Sequence, residues 1–566
     1  MRKKIYCMKL AYLYVADHRI LSEVGIPISG EHRCHYIDGK LSLGLNEDRV
    51  EYYNGLSCSA IIGKNGVGKS TILDFVESSY GATDSSGLIV FFDSENVKYH
   101  ICPINTYFND SMVTSGTDFI VESDFKRFVK KHNVKFVKSN NLTGVEESKF
   151  KYKKNYNGFV CDLSLSQYAH GTKSEIVKRT NRLIDFFKNS QWFEGFERTK
   201  IKFSFKFKAS SVSYLNSLLN DKDFVKKNID SDKDLSLLRS VVRNSINEFS
   251  LHEEKKSIVD VLVRGNILSI LSYVTKTALI KKGNQNSFFI KMVLMYYKEN
   301  LEFSDLSGLL LSGDSKFYAR YGSDILMADS FVIVQRYEYV IDTIFEIAKN
   351  LSFDRYVFDG ENSMSTFDSD FIIDLTSLIS KLPSNISSNF SYGWGGFSTG
   401  EFAKLNIFSE LYNYIKSDER DSRENHIIIM DEVDLYLHPD WQRTFFSEML
   451  EFLSSEASIG RIQLILSTHS PLIVGDFLPE DIISLEVDGS GRTEVVESFG
   501  FGSQVTDLYL DGMHLRSTFG EHSKKVITGI IGRRDEDTLT NDDVKLVKKI
   551  KNRNIQNMLL GAYDKS

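Results

Sequence analysis

Three short, mostly hydrophobic runs in the chain each end in polar residues. They cover residues 59–62, 427–430 and 463–466. A continuous apolar run of this kind is typical of a parallel strand that is buried on both faces. Since the ligands of α/β sheets bind at the carboxyl ends of the strands, the polar residues after each run are candidates for a common binding site.

The interval between the first two runs, residues 80–397, follows a different pattern. Its segments 258–271 and 331–347 carry apolar residues at helical spacing. No sustained heptad repeat is present, so long coiled-coil arms are not expected. The pattern predicts a compact, mostly helical insertion between the parts of an α/β domain.

Composition narrows the class of protein further. With 566 residues, of which 42% are hydrophobic and 26% charged, the chain is an ordinary globular protein with room for several domains. No run of about 18 apolar residues occurs, so no transmembrane helix is expected. The five cysteines form no C-x-x-C pair, which argues against a disulfide framework or a zinc knuckle and favours a reducing cytoplasm.

The first hydrophobic run leads directly into a G-x-x-x-x-G-K-S segment followed by a helical pattern. The glycines allow successive backbone N–H groups to point at phosphate oxygens. Lys69 is expected to reach the β- and γ-phosphates, and the Ser70 hydroxyl to ligate Mg²⁺. A chance glycine-rich turn is the alternative. The predicted nucleotide-binding residues of this segment are Gly63, Asn65, Gly66, Gly68, Lys69, Ser70 and Thr71.

Two carboxylates, Asp431 and Glu432, follow the second run. Asp431 is predicted to hold Mg²⁺ through water, and Glu432 to orient and polarise the attacking water. Four apolar residues followed by two acids are a weak signal alone. The signal becomes strong beside the glycine-rich segment, because the two motifs together supply phosphate and metal binding.

Two further sites extend this pattern. Ser398 and Gly400 begin a helical segment, where a hydroxyl and an amide can bind a second anion; a plain helix N-cap is the alternative. His469 follows the third run and is a candidate donor to the γ-phosphate. A lone histidine after a strand is more often structural, so its assignment depends on the other motifs.

In this order and spacing, the four motifs resemble those of an ABC-type ATPase head. Residues 431–442 resemble the D-E-P-E-x-x-L-H-P-x-x-Q run of soluble RecF/SMC-like and AAA_21-like ATPases, with Val433 and Asp434 in place of the usual Pro and Glu. The resemblance implies an α/β fold, an ABC-ATPase head of the P-loop NTPase type with a large helical insertion and a helical C-terminal cap. Between residues 89 and 121 no Q-loop is recognised.

The resemblance also implies cofactors, assembly and domain boundaries. ATP and Mg²⁺ are the implied cofactors, with Glu432 and His469 as catalytic residues. In such heads Ser398 and Gly400 act on the site of a second copy, so a homodimer or a higher even oligomer is expected. The implied domains are an N-terminal head lobe (1–115), an insertion (116–389), a C-terminal head lobe (390–515) and a helical tail (516–566). Within the tail, the spacing Thr540-x-x-Asp543 predicts a capping box that begins one last helix, from Val544 to Leu560.

Charge is distributed unevenly along the chain. The formal net charge is −7, yet residues 124–208 contain 20 Lys and Arg against 8 Asp and Glu, a net of +12, which leaves about −19 elsewhere. Residues 200–208 alternate lysine and phenylalanine, which predicts a strand with opposite basic and apolar faces. That basic face is either a solvated surface, a track for nucleic acid or a site for an acidic protein.

The whole layout resembles the PtuA-type ATPases of Septu and retron-Septu anti-phage systems. That resemblance implies a cytoplasmic defence ATPase that scaffolds or regulates a separate HNH nuclease (PtuB-like), in a retron setting together with a reverse transcriptase and msDNA. The alternative is a RecF/SMC-like DNA-repair ATPase that acts on DNA. A transporter subunit is disfavoured, because no coupling surface or short head is evident.

Overall fold

The chain forms two compact units. Unit 1 comprises Met1–Ser164 and Asp418–Ser566, and unit 2 comprises Leu165–Ser417. Within them, the computed structural model describes residues 8–81, 83–140, 159–165, 173–190, 202–244, 251, 257–276, 282–301, 327–352, 355–418, 424–456, 461–512, 515, 517 and 519–560.

The strands of the described residues alternate with helices mainly in unit 1. In chain order they are β1 (Met8–His18), β2 (Leu21–Pro27), β3 (His32–Ile37), β4 (Lys40–Leu45), β5 (Ser57–Gly63), β6 (Ser86–Asp93), β7 (Lys98–Ile104), β8 (Val113–Ser115), β9 (Asp118–Val121), β10 (Val134–Asn140), β11 (Val160–Asp162), β12 (Lys202–Phe207), β13 (Val357–Gly360), β14 (Ser363–Thr366), β15 (Phe390–Gly395), β16 (Asn425–Asp431), β17 (Ile462–Ser467), β18 (Ile482–Val487) and β19 (Thr493–Val496).

The helices of the described residues dominate unit 2 and the C-terminal end. They are α1 (Lys69–Ser78), α2 (Phe125–Lys131), α3 (Lys173–Asn189), α4 (Ser213–Asn220), α5 (Lys222–Asn228), α6 (Asp232–Asn244), α7 (Ile258–Thr275), α8 (Lys282–Lys298), α9 (Met327–Leu351), α10 (Ser369–Lys381), α11 (Ser384–Ser387), α12 (Thr399–Asp418), α13 (Pro439–Glu456), α14 (Pro471–Val474), α15 (Val505–Asp507), α16 (Glu521–Asp535), α17 (Asn541–Val547) and α18 (Arg553–Leu560).

A seven-stranded sheet forms the centre of unit 1, in the order β11-β10-β16-β17-β5-β18-β19. The first six strands are parallel, and β19 is antiparallel to β18. All residues of β5 and β17 are buried, as their continuous apolar runs predict. Because these strands are parallel, the residues that follow β5, β16 and β17 share one edge of the sheet.

Two smaller sheets complete unit 1. One has the order β2-β1-β6-β7-β9, with β7 and β9 parallel and the other pairs antiparallel. The other has the order β3-β4-β8. The amide of buried Gln463 on β17 exchanges two hydrogen bonds with the backbone of Leu10 on β1, at 2.8 and 2.9 Å. These bonds join the antiparallel sheet to the parallel one.

Unit 2 is mostly helical, as predicted, and contains a four-stranded antiparallel sheet, β13-β14-β12-β15. On β12 the side chains of Phe203, Phe205 and Phe207 are buried, whereas Lys206 is exposed. The strand predicted from the lysine and phenylalanine alternation is therefore present, with the phenylalanines in the core. Lys200 lies outside the described residues.

Helix α7 is the most apolar long helix of unit 2. By length and composition alone it passes as a membrane-spanning segment, and it is the one described helix that does so. Its leucines and isoleucines belong to the core of unit 2, and it packs against α8 and α9. It is therefore the core helix that the spacing of residues 258–271 predicts.

The predicted domain boundaries differ from the observed units. Strand β10 lies within the region predicted as insertion, yet it pairs with β16 in the central sheet of unit 1. Helix α12 lies within the region predicted as head, yet it falls in unit 2, where Arg182 of α3 forms an ion pair with buried Glu410. The basic segment 124–208 is consequently divided between both units instead of forming part of one insertion.

The C-terminal end is helical, as predicted, but its last helix is divided. A capping box between Thr540 and Asp543 begins α17, which ends at Val547. Asn552 then accepts hydrogen bonds from the backbone N–H groups of Asn554 and Ile555 and begins α18. Residues 544–560 therefore form the end of α17 and a separate helix α18 instead of one continuous helix.

Candidate nucleotide-binding site

The glycine-rich segment forms a tight loop between β5 and α1. Gly63, Gly66 and Gly68 have φ values of 143°, 86° and 109°. A β-carbon on Gly63 would lie 2.6 Å from the Leu485 carbonyl oxygen, and one on Gly68 would lie 2.7 Å from the Leu21 side chain. Only glycine fits both the space and the backbone conformation at these two positions.

Lys69 begins α1, and its side chain folds back over the loop. Its Nζ donates hydrogen bonds to the carbonyl oxygens of Gly63 (2.8 Å) and Lys64 (3.2 Å), and the residue is 7% exposed. Burial lowers the pKa of Lys69, against the opposing effect of the nearby Asp431 carboxylate. The ammonium group therefore lies within the loop that would surround a phosphate, next to acidic groups.

Ser70 and Asp431 meet at the edge of the central sheet. The Ser70 hydroxyl donates a hydrogen bond to Oδ2 of Asp431 at 2.8 Å, and the Ser467 hydroxyl at the end of β17 donates to Oδ1. A hydroxyl next to a carboxylate is an oxygen donor set that suits Mg²⁺. The three side chains come from the start of α1 and from the ends of β16 and β17, so the fold assembles this group.

Glu432 follows the last residue of β16, and its backbone has a left-handed conformation with φ of 51°. Its backbone N–H donates to the Ser467 hydroxyl at 3.2 Å. Burial, and then the Asp431 carboxylate, raise the pKa of Glu432, while Lys69 opposes the shift. A raised carboxyl pKa in a polar cleft is typical of a group that exchanges protons, and a strained backbone is typical of functional sites.

Asp434 anchors the segment that contains His469. Its Oδ1 accepts hydrogen bonds from the Thr468 hydroxyl at 2.6 Å and from the backbone N–H of His469 at 3.0 Å. Burial, and then the Lys69 charge, lower the pKa of His469, which favours its neutral form. Asp434, which replaces the second glutamate of the D-E-P-E motif, therefore has hydrogen-bond partners in the segment that contains His469.

A second link joins the same two segments. The Ser470 hydroxyl donates to the Gln442 side chain at 2.7 Å, and the Gln442 amide nitrogen donates to the Leu437 carbonyl oxygen at 2.9 Å. Gln442 thus connects the segment after β16 with the segment after β17. The carboxylates and His469 are held in one arrangement by hydrogen bonds at two points.

Ser398 and Gly400 lie in unit 2, at the start of α12. Ser398 accepts a hydrogen bond from the Glu401 backbone N–H at 3.3 Å, and its own N–H donates to the Glu401 carboxylate at 2.6 Å. This is the capping box that the plain N-cap alternative predicts. Ser398 and Thr399 are exposed, whereas Gly400 is buried.

Residues 394–475 match an ATPase family. It is described as "AAA domain, putative AbiEii toxin, Type IV TA system". The matched stretch includes Ser398, Gly400, both carboxylates and His469, whereas the glycine-rich loop lies outside it. Together with the parallel sheet, this match identifies the fold as that of a P-loop ATPase, as the motifs predict.

The chain is also similar to two bacterial proteins. It is 31% identical over 126 residues to "Retron Vc95 probable ATPase" of Vibrio cholerae serotype O1 biovar El Tor, across 21% of this chain and 23% of that protein. It is 27% identical over 161 residues to "Septu protein PtuA" of Bacillus thuringiensis, across 27% of this chain and 39% of that protein. Both similarities agree with the resemblance recognised from the sequence.

Among solved structures, the chain is similar to "Structure of the recombination mediator protein RecF-ATPrS in RecFOR pathway". The two are 12% identical with a TM-score of 0.24, across 87% of this chain and 98% of that chain.

Besides Gln442, the structure adds three residues to those predicted for the site. Ser467 contacts Asp431 and the Glu432 backbone, and Asp434 contacts the His469 segment. Asn140, the last residue of β10, is the register partner of Asp431 on the neighbouring strand. In the sequence, Asn140 lies in the basic segment 124–208, which was assigned to the insertion and not to the head.

Proposed function

We propose that this chain is an ATP-hydrolysing ABC-type ATPase of the cytoplasm, which works in bacterial anti-phage defence by controlling a separate HNH nuclease. One observation carries the ATPase part of the proposal. The Ser70 hydroxyl lies 2.8 Å from Asp431, with Lys69 and Glu432 beside this pair. This brings a phosphate loop, oxygen ligands for a metal and a candidate for polarising water into one site.

Nucleotide binding would begin with a change at Lys69. In the structure its ammonium group is bonded to two loop carbonyls, so a bound phosphate would replace these acceptors with stronger, charged ones. The loop amides and the N-terminus of α1 would bind the remaining phosphate oxygens. Mg²⁺, held by Ser70 and by Asp431 through water, would supply charge neutralisation at the phosphates.

Hydrolysis would depend on Glu432 and His469. The ionised Glu432 carboxylate would accept a hydrogen bond from the attacking water, and its raised pKa brings its proton affinity closer to neutral pH. The neutral His469 would donate its ring N–H to the terminal phosphate. Asp434 and Gln442 would keep His469 at a fixed position relative to Glu432.

The second half of each site would come from another copy of the chain. The exposed Ser398 at the N-terminus of the 20-residue helix α12 supports this arrangement, because that end of a long helix attracts anions, and a bound phosphate would replace the Glu401 carboxylate that caps it in the structure. Ser398 and Gly400 of one copy would then bind the phosphates held by Lys69 of the other. Bound ATP would hold the homodimer together, and hydrolysis would release it.

The nuclease partner is proposed from the similarity to the Septu and retron proteins. A retron partner would bring a reverse transcriptase and msDNA. The basic faces of α2 and β12 are candidates for binding such a polyanion, because Lys126, Lys130, Lys206 and Lys208 are exposed. The lysines of β10 are less suitable, since Lys135 and Lys138 form ion pairs with Glu424 and Glu77.

Two experiments address the ATPase and defence parts separately. Glu432→Gln should bind ATP without cleaving it and accumulate an ATP-dependent dimer, detected by analytical ultracentrifugation, whereas Lys69→Ala/Glu432→Gln should stay monomeric. Dimerisation that does not depend on ATP would contradict the arrangement in which two copies of the chain bind ATP between them. Co-purification with the products of adjacent genes should recover an HNH protein; turnover stimulated by plain DNA, with no such protein, would favour the DNA-repair alternative.

A further inference from the structure

Three potential metal ligands lie together in unit 1, in residues that the ATPase site does not use. His100 is on β7 and is 4% exposed. Glu122 follows β9 directly, and its backbone N–H donates to the Ile101 carbonyl oxygen at 2.8 Å. His132 directly follows α2 and is its C-cap residue. Two neighbouring strands and one helix therefore bring these side chains together.

The spacing of the three side chains is close. One ligand atom from each lies within 4.8 Å of the other two. The Nδ1 atom of His100 lies 2.8 Å from a Glu122 oxygen, and the two imidazole rings are 5.0 Å apart between centroids. Phe128 contacts both rings, at 5.2 and 4.7 Å, and so separates the group from the core on one side.

His132 supplies the observation that points to a ligand. Its Nε2 atom is buried and has no hydrogen-bond partner among the described residues. A buried polar atom without a partner costs free energy, and such atoms in native structures call for an explanation such as a missing ion.

We propose that His100, Glu122 and His132 form a binding site for Zn²⁺. Two imidazoles and one carboxylate are a ligand set that zinc takes, with a water completing the tetrahedron. Bonds of about 2.0–2.1 Å place tetrahedral ligands about 3.4 Å apart. The present distances run from 2.8 Å, between His100 Nδ1 and Glu122, to at most 4.8 Å, so zinc binding requires small shifts of the side chains that widen the shortest of these distances and shorten the longest.

The position of the site indicates a bracing role. The His132 carbonyl oxygen accepts a hydrogen bond from the Asn425 side chain at 2.8 Å, and the Asn133 carbonyl oxygen accepts one from the Asn425 N–H at 2.9 Å. Asn425 begins β16, whose other end carries Asp431. Zinc at His132 would therefore hold the first residues of β10 and β16 against the five-stranded sheet that contains β7 and β9.

The test is a zinc titration of the full-length chain after removal of metal by a chelator. Excess Mg²⁺ is kept present so that the nucleotide site does not compete. Isothermal titration should show one tight equivalent for the wild type and for His35→Ala, which removes an exposed histidine of the same unit. His132→Ala should weaken that equivalent by at least about tenfold, the range seen even for supporting groups of metal sites.

Glu122→Gln covers the case in which His132→Ala fails to fold. Glutamine can keep a hydrogen bond to His100 but removes the charge that zinc requires. The variant should keep the circular dichroism spectrum and lose zinc affinity, and Co²⁺ added to the wild type should give the visible absorption of a tetrahedral site. Equal zinc affinity in the wild type and Glu122→Gln, or no tight equivalent in the wild type, would overturn the proposal and leave a plain His–Glu hydrogen bond.

Discussion

The Ser70 hydroxyl donates a hydrogen bond to the Asp431 carboxylate at 2.8 Å, across 361 positions of the chain. The bond joins the start of α1 to the end of β16. It exists because β5 and β16 are parallel strands of one sheet, with β17 between them. The residues around this pair are therefore the ones whose replacement should change nucleotide binding and hydrolysis.

Replacing Lys69 by alanine should remove most of the nucleotide affinity. A charged hydrogen bond to phosphate is worth about 1.5–3 kcal/mol, so the dissociation constant for ATP should rise roughly 10- to 100-fold. Fluorescence titration with a labelled ATP measures this directly. Lys64→Ala is the matched control, because Lys64 has the same charge in the same loop but an exposed side chain. Unchanged affinity in Lys69→Ala would refute the assignment of the loop.

Replacing Asp434 by asparagine should move the pH profile of ATP hydrolysis. Glu432 must be ionised to accept a proton, so the rate falls as the pH drops through its raised pKa. The Asp434 charge contributes to that raised value, so its removal lowers the pKa of Glu432 and shifts the acid limb to lower pH. The measurement is kcat against pH for both proteins.

Asp434→Ala separates this electrostatic effect from anchoring. Asparagine keeps an oxygen that can accept from Thr468 and the His469 N–H, whereas alanine leaves both without this acceptor. Loss of a hydrogen bond to a positioned group costs about 1 kcal/mol, so kcat of Asp434→Ala should fall a further five- to tenfold, roughly. Equal rates in the two variants would show that the bonds to Asp434 do not position His469.

Much of this site could be predicted because its motifs are continuous in sequence. The loop from Gly63 to Ser70 and the pair at Asp431 carry their chemistry in adjacent residues, and their order along the chain indicated the fold. The contacts of Ser467 with Asp431 could not be predicted, because they depend on which strands are neighbours in the sheet. The same holds for the position of Asn140 beside Asp431, which depends on the register of β10 with β16.

Domain limits and helix ends were harder to predict for local reasons. β10 contains Lys135 and Lys138 and belongs to the basic segment that was assigned to the insertion, although the strand lies within the central sheet. At the C-terminal end, apolar spacing suggested one helix, but the Asn552 side chain begins a new helix and interrupts it. A single side-chain hydrogen bond of this kind cannot be recognised from the spacing of apolar residues along the sequence.

Reversing charge on the exposed face of β12 should weaken polyanion binding. Lys206→Glu/Lys208→Glu should reduce affinity for single-stranded DNA or a DNA–RNA hybrid and make log K less dependent on log salt, by about 0.7–0.9 for each phosphate that the variant no longer neutralises. Lys222→Glu/Lys226→Glu is the control, because it makes the same charge change on exposed residues of α5 in the same unit. Identical salt slopes for both double variants would show that the lysines of β12 form a solvated surface and do not bind the polyanion.

Acid should destabilise unit 1 through His32. This histidine is 4% exposed, and burial lowers its pKa from 6.5 to about 4. Between pH 6.5 and 4 the unfolded chain takes up a proton that the folded chain does not. The free energy of unfolding should therefore drop by up to about 3 kcal/mol over this window, with no contribution from His32 above it.

Comparison of two glutamine variants isolates the effect of His32. His32→Gln cannot take up a proton, so the fall in its urea midpoint between pH 7 and pH 4.5 should be smaller than in the wild type. His35→Gln removes a histidine that is exposed on the same strand and should behave as the wild type does. If both variants lose stability as steeply as the wild type, another buried group is responsible for the acid sensitivity.

The most direct test of the central claim is complementation between two inactive variants. Lys69→Ala removes the phosphate lysine from one half of the proposed composite site, and Ser398→Arg blocks the other half. In a mixture of the two, half of the randomly paired dimers contain one intact site, so about a quarter of the wild-type ATPase activity should return. Activity that stays at the level of the separate variants would contradict a site shared between two copies and place all of its residues in one chain.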